Sequence, residues 1–290
     1  MSAVVNREYK DRLFAFIFGK YENRSWTLAL YNAVNGSSYE RAEDIEINTL
    51  GDAVYMGMKN DVSFVLYEYL SIYEQQSTYN PNIPLRGLMY AGRLYDKYVH
   101  QKRLNIYGEA RIKIPVPRLV VFYNGRRNKE DEVLNLYDLF DDKEKAAESD
   151  ISVSVRMINI NYGDNKEILK KCKPLMEYSY LITKIRENAK AMEIEEAIDK
   201  ALDSLPKDFE LKRFLIAHRA EVKNMCLTEY NEEETMELFY EDGRADGKVE
   251  GIIEGKLVAL YELVKDGIIS VAEAAGRMGM TEEMFLSKMK

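Results

Sequence analysis

The chain has 290 residues, 46% hydrophobic and 31% charged, with a formal net charge of -8. That length can build one large domain or two small ones around an ample core, and the composition excludes a disordered or fibrous protein. Cys172 and Cys226 lie far apart with no CxxC spacing, which argues against a disulfide framework or a zinc ribbon and for a reducing cytoplasm.

The charge is unevenly spread. Residues 1–125 carry 15 Lys and Arg against 13 Asp and Glu, whereas the remainder carries 26 against 36. Residues 86–118 hold eight basic side chains against only Asp96 and Glu109, so a phosphate-facing surface is expected there despite the acidic total.

Residues 7–20 read as a short helix packed on the domain, with an apolar run at Leu13 to Phe18. That run is six residues, short of the ~7–15 of a signal peptide's apolar region and the ~20 of a membrane span, so neither is expected. A second helix is expected over 23–33 with Ser25 as N-cap, ending at Asn35-Gly36. The alternation in 45–48 and the run 53–58 predict short strands, with Lys59-Asn60 turning into Asp61. Residues 61–76 then form a hairpin turning near Tyr67-Glu68, although neither residue suits a tight turn.

Pro84 suits the first turn of the next helix, on which Arg86, Arg93 and Lys97, spaced by seven and four, share a face. The apolar run 119–123 reads as a buried strand ending at Asn124-Gly125, and 152–161 offers another. Helical patterns follow over 169–185, 194–202, 209–225 and 233–240. Gly243, Gly247, Gly251 and Gly255 then recur every four residues, which fits either a close helix-helix contact or a flexible connector. Short helices are expected at 257–265, at 270–278 with a capping box from Ser270 to Glu273, and at 281–288. The Ala275 to Gly279 spacing matches a helix-turn-helix, but Glu273, Glu282 and Glu283 would repel DNA, so helix packing or a homo-oligomer contact is the better reading.

The hairpin carries the chemistry. Asp61 opens its first strand and Glu74 closes its second, so two carboxylates meet at one sheet edge, where they can hold a hard cation. Gln76 lies on the same face as Glu74 and can orient water or phosphate, but carries no positive charge. Solvent-facing strand residues are the plain alternative. Arg86, Arg93 and Lys97 are candidate DNA-phosphate contacts, with a solvated helix face as their alternative. The two histidines, His100 and His218, lie in no recognisable nucleophile motif, which gives a hydrolase triad little support.

The blocks Lys59 to Phe64, Tyr73 to Thr78, Asn80-Pro81-Asn82, Pro84-Leu85-Arg86 and Val121 to Gly125 resemble the recombination-promoting nuclease/transposase family of the PD-(D/E)XK nuclease superfamily, over roughly residues 5–145. The resemblance implies an α/β (α+β) restriction-endonuclease-like αβββαβ core and a DNA endonuclease using Mg²⁺, or Mn²⁺ in its place. Asp61 matches the motif's strand aspartate, with Asp52 as a rival metal ligand, and Glu74 and Gln76 match its (D/E)xK pair with glutamine in place of lysine. The expected organisation is a nuclease-like domain over 1–160, a helical region over 161–242 and a glycine-repeat connector with a small helical tail over 243–290. Two other readings stand beside cleavage: a catalytically weak DNA-binding or assembly factor of a mobile element, and an interaction protein built on the helical half.

Overall fold

The computed structural model describes residues 12–49, 61–127, 129–163 and 167–288. The expected strand 53–58, the Lys59-Asn60 turn and Asp52 lie outside these residues. The chain divides into two compact units, Met1–Glu233 and Glu234–Lys290.

The first unit opens with α1 (Leu13–Phe18), a 3-10 turn and α2 (Arg24–Asn35). Ser25 is not the N-cap of α2, because that helix begins one residue earlier. Asn23 stands before it, and its side-chain amide donates to the Phe16 carbonyl at the end of α1, so the turn serves the preceding helix. Gly36 closes α2 in the left-handed conformation, at φ 64°. Three strands follow: β1 (Glu46–Ile47), β2 (Val62–Leu66) and β3 (Tyr69–Gln76). Helix α3 (Ile83–Gln101) then crosses to β4 (Val116–Tyr123). After it come β5 (Glu132–Asn135), α4 (Lys143–Ala146) and β6 (Ser154–Asn159).

These strands form one mixed sheet in the order β1-β2-β3-β4-β6-β5. The β1-β2, β2-β3 and β5-β6 pairs are antiparallel, and β3-β4 and β4-β6 are parallel. The chain is thus mixed α/β, and its order from α2 to β4 is α-β-β-β-α-β. The β2-β3 turn falls at Tyr67-Glu68 as expected, with Tyr67 at φ 52°. Contacts elsewhere hold this unfavourable turn: the Tyr67 hydroxyl donates to Asp44 Oδ2 at 2.7 Å, and its ring packs 4.9 Å from that of Tyr39.

Alternation along the strands sorts the core into two layers. Val62, Phe64, Tyr73, Val120 and Phe122 face a helical layer that includes α1 and α2. That layer also holds α5 (Glu167–Lys171), α6 (Lys173–Asn188), α7 (Ile194–Asp203), α8 (Leu211–Ala217) and the start of α9 (Arg219–Lys265). Leu70 and Ile72 point the other way, against Tyr90 and Leu94 of α3.

Two expected helices are each split. Pro174 lies in the first turn of α6, where its missing N–H and its ring rule out a helical bond back to the Lys170 carbonyl, so α5 and α6 part at Cys172, whose backbone is extended. The 209–225 run parts at His218, whose Nδ1 meets the Phe214 carbonyl at 2.9 Å. The fully buried Glu177 holds the start of α8, accepting from the Glu210 and Leu211 N–H groups at 2.8 Å each. Burial raises its pKa, and those two donors oppose the rise without cancelling it. Glu177→Ala leaves both donors stranded, and an urea titration should show about 2–3 kcal/mol of lost stability. A loss below about 0.5 kcal/mol would refute this role.

The glycine repeat lies inside the continuous α9, neither at a break nor at a tight contact: Gly247, Gly251 and Gly255 face open space. The second unit has its own small core of Leu260, Ala274, Ala275 and Phe285. Helices α10 (Val271–Met278) and α11 (Glu282–Ser287) complete it. Ser270 and Thr281 cap them by accepting from the Glu273 and Met284 N–H groups, as the capping box implies for Ser270. No described helix is long and apolar enough to cross a membrane.

Candidate active site

The hairpin register sets the site. Val62 pairs with Tyr73, so Asp61, one residue before β2, stands opposite Glu74 near the end of β3. The two are tied reciprocally. The Asp61 N–H donates to Glu74 Oε1 at 3.1 Å, and Asp61 Oδ2 accepts from the Gln75 N–H at 2.7 Å. Gln76 is buried on the Glu74 side, and its Oε1 has no hydrogen-bond partner among the described residues.

Two arginines flank the carboxylates. Arg86, in the first turns of α3, places Nη2 3.4 Å from Glu74 Oε2 and donates to the Tyr90 hydroxyl at 2.7 Å. Arg12, just before α1, places Nε 3.9 Å from Asp61 Oδ1 and donates from Nη1 to the Gln75 carbonyl at 3.0 Å. Its Nη2 lies 3.5 Å from Glu232 on α9. One turn earlier on α9, Glu229 accepts from the Leu13 N–H at 2.7 Å. Four carboxylates therefore surround two guanidinium groups.

The titration shifts express that imbalance. Burial, then the neighbouring Asp61, push Glu74 up to about 8, with Arg86 and Arg12 opposing. Burial also raises Asp61, opposed by Arg12 and by the Gln75 N–H. Glu229 is pushed up to about 7, chiefly by burial. For Arg12, burial disfavours the charge, but Asp61, Glu229, Glu232 and Glu74 outweigh it and its pKa rises.

Gln75 points to the opposite face of β3. Its Nε2 donates to Asn124 Oδ1 at 2.7 Å, Asn124 Nδ2 donates to the Tyr178 hydroxyl at 3.3 Å, and Arg186 donates to the Asn124 carbonyl. This chain of amides locks the carboxyl ends of β3 and β4 together beneath the site.

Of the residues singled out in the sequence, Asp61, Glu74, Gln76 and Arg86 come together. Arg93 and Lys97 lie along the same flank of α3, but all three cations are half-buried, so that flank is not a solvated face. Lys97 Nζ donates to the Asn48 and Thr49 carbonyls at 3.3 and 3.1 Å and ties α3 to the chain after β1. Sequence reasoning missed Arg12, Tyr90, Asn124 and Glu229. Asn124 sits in a stretch already noted as the end of a buried strand, and Tyr90 follows Arg86 by one turn of α3; Arg12 and Glu229 carry no local signal, since only tertiary packing brings them to the site.

Among the described residues, no group of three or more His, Cys, Asp and Glu side chains is placed to hold a metal. Mg²⁺ asks for less: one or two carboxylates, with water and phosphate oxygens completing its shell. The buried Glu74, the partly buried Asp61 that repels it, and Gln76 Oε1, without a partner among the described residues, fit that demand. Compared with known family models, curated proteins and solved structures, the chain matches none.

Proposed function

We propose that the protein is a metal-dependent DNA endonuclease of the PD-(D/E)XK type that hydrolyses phosphodiester bonds and promotes recombination or transposition. The observation that carries this reading is the pairing of Asp61 and Glu74 across β2 and β3, each fixed by a backbone N–H of the other's strand. The α-β-β-β-α-β order around that pair supports it. Asp61 and Glu74 would hold Mg²⁺ or Mn²⁺. When bound, such an ion polarises the phosphate and lowers the pKa of a water. Gln76 would orient that water by accepting from it through Oε1, which has no partner among the described residues, or a phosphate oxygen by donating from its amide N–H. Arg86 brings the positive charge that Gln76 lacks, and its guanidinium, 3.4 Å from Glu74 Oε2, would take a phosphate oxygen beside that carboxylate.

A DNA-binding or assembly role without efficient cleavage is the second reading, favoured by the engagement of Glu74 Oε2 with Arg86. Supercoiled plasmid incubated with the protein in Mg²⁺, in EDTA, and with the Asp61→Ala and Glu74→Ala variants separates the two. Nicking that requires both the metal and the two carboxylates is expected. Metal-independent binding that survives both substitutions, with no cleavage under any divalent ion, would select the second reading.

A further inference from the structure

The segment joining α3 to β4, residues 102–115, is exposed apart from Leu104, Ile112 and Pro115. It carries Lys102, Arg103, Arg111 and Lys113 against one acidic residue, Glu109. Lys102 is occupied by Glu46, at 3.1 Å. Arg103, Arg111 and Lys113 pair with no carboxylate among the described residues. Tyr107 is 93% exposed. Arg103 follows the C-cap of α3 at φ 52°, where its N–H donates to the His100 carbonyl and the Leu104 N–H to the Val99 carbonyl. That is the position a helix end usually gives to glycine, because an L side chain is strained there. The chain keeps an arginine at this strained position, although its charged end has no carboxylate partner among the described residues.

The place of this segment matters as much as its charge. Helix α3 starts beside Glu74 and ends at the segment, and from Arg86 to Gln101 it rises about 22 Å at 1.5 Å per residue. Along a duplex rising 3.4 Å per base pair, that is roughly six or seven base pairs. We propose that the 102–115 segment is a second DNA contact, remote from the Asp61–Glu74 site. Arg103, Arg111 and Lys113 take backbone phosphates, and Tyr107 offers its ring to an unstacked base at a nick or end. Charge complementarity selects the partner: three cations with no carboxylate partner among the described residues share one exposed segment with an exposed aromatic ring, on a protein of net charge -8. The proposal rests on the nuclease reading only for what happens at the far end of the DNA.

Anisotropy of labelled DNA in EDTA tests it without catalysis. The Arg103→Gly/Arg111→Gln/Lys113→Gln variant should bind a 20-base-pair duplex about tenfold or more weakly at low salt. The slope of log affinity against log salt should fall by about 2–3, as expected for three lost phosphate contacts. A hairpin with a stem of about four base pairs, roughly 14 Å and too short to reach both places, should lose less. Tyr107→Ala should weaken binding of a nicked duplex several-fold more than that of an intact one. Arg103→Gly alone should raise Tm by about 2 °C while weakening binding, a combination that a purely structural role does not produce.

Unchanged affinity and slope in the triple variant overturn the proposal, as does a wild-type protein that binds no DNA in EDTA. Cosedimentation with phosphatidylglycerol vesicles that needs these three cations, with DNA affinity unaltered, also overturns it and assigns the segment to a lipid surface. The site reading fails separately: cleavage absent with every metal, together with the full loss of binding in the triple variant, removes the nuclease and leaves this contact standing.

Discussion

Glutamine in place of Glu74 should raise the melting temperature of the metal-free protein at pH 8 while reducing metal-dependent cleavage by about a thousandfold or more. Both effects have one cause. Asp61, Glu74, Glu229 and Glu232 crowd around Arg12 and Arg86, and burial followed by Asp61 pushes Glu74 up to about 8. An acid whose pKa is higher in the folded state binds its proton more tightly there. Its contribution to stability is complete below the unfolded pKa, near 4.5, and is lost as pH climbs through about 8. The wild-type Tm in EDTA should therefore fall between pH 5 and pH 8. Glutamine keeps an oxygen for the Asp61 N–H but cannot ionise, so the variant should lose part of that slope. Relaxation and water entry temper the effect, leaving about 1–2 kcal/mol, or roughly 3–6 °C, at pH 8. Calorimetry at pH 5.5 and pH 8 checks it. A Tm lower than wild type at pH 8, or an unaltered pH slope, would mean that Glu74 is a stabilising partner of Arg86 rather than half of a strained pair. Millimolar Mg²⁺ or Mn²⁺ should raise the wild-type Tm at pH 8 and leave the variant's unchanged, since an ion bound only to the folded state stabilises it by mass action.

The part of this site legible in the sequence is the part built by local rules. Alternation places Glu74 and Gln76 on one face, and the length of the hairpin puts Asp61 opposite Glu74, even though Tyr67 makes a poor turn residue. The turn is there because Asp44 and Tyr39, more than twenty residues earlier, hold it. Long-range placement was not legible. Arg12 reaches Gln75 across 63 positions, and Glu229 reaches Leu13 across 216. No window of sequence contains those pairs. The edge strand β5 was missed for a related reason: Glu132-Val133-Leu134-Asn135 has a weak alternation and is a strand because β6 offers it an antiparallel partner. Pattern alone also misjudged the glycine repeat, since exposed glycines tax a helix by about 1 kcal/mol each without breaking one that is otherwise supported.

The largest structural effect is expected at Gly125. The β4 strand ends at Tyr123, the Asn124 N–H donates to the Gln76 carbonyl at 3.0 Å, and the chain then passes against the residue that follows Gln76. A methyl group on Gly125 would overlap the Ser77 carbonyl and stand 2.5 Å from the Tyr123 hydroxyl and 2.6 Å from the ring carbon bearing it. The first obstacle is backbone and cannot rotate away. The second is a fully buried ring whose hydroxyl donates to the Arg127 carbonyl at 3.0 Å, so it too has nowhere to go. Relief requires the ends of β3 and β4 to separate. That strains the Asn124–Gln76 backbone bond and the Gln75–Asn124 amide pair that fix the strand carrying Glu74. Gly125→Ala should therefore cost about 3–5 kcal/mol, lowering Tm by about 10 °C, and should impair cleavage even where the protein remains folded. Gly36→Ala provides the contrast: its added methyl meets nothing within 4 Å, so only the left-handed backbone resists it. That variant should lose about 1 kcal/mol and keep full activity. Equal losses in the two variants would show that the closeness of Ser77 to Gly125 does not hold the carboxyl ends of the strands in register.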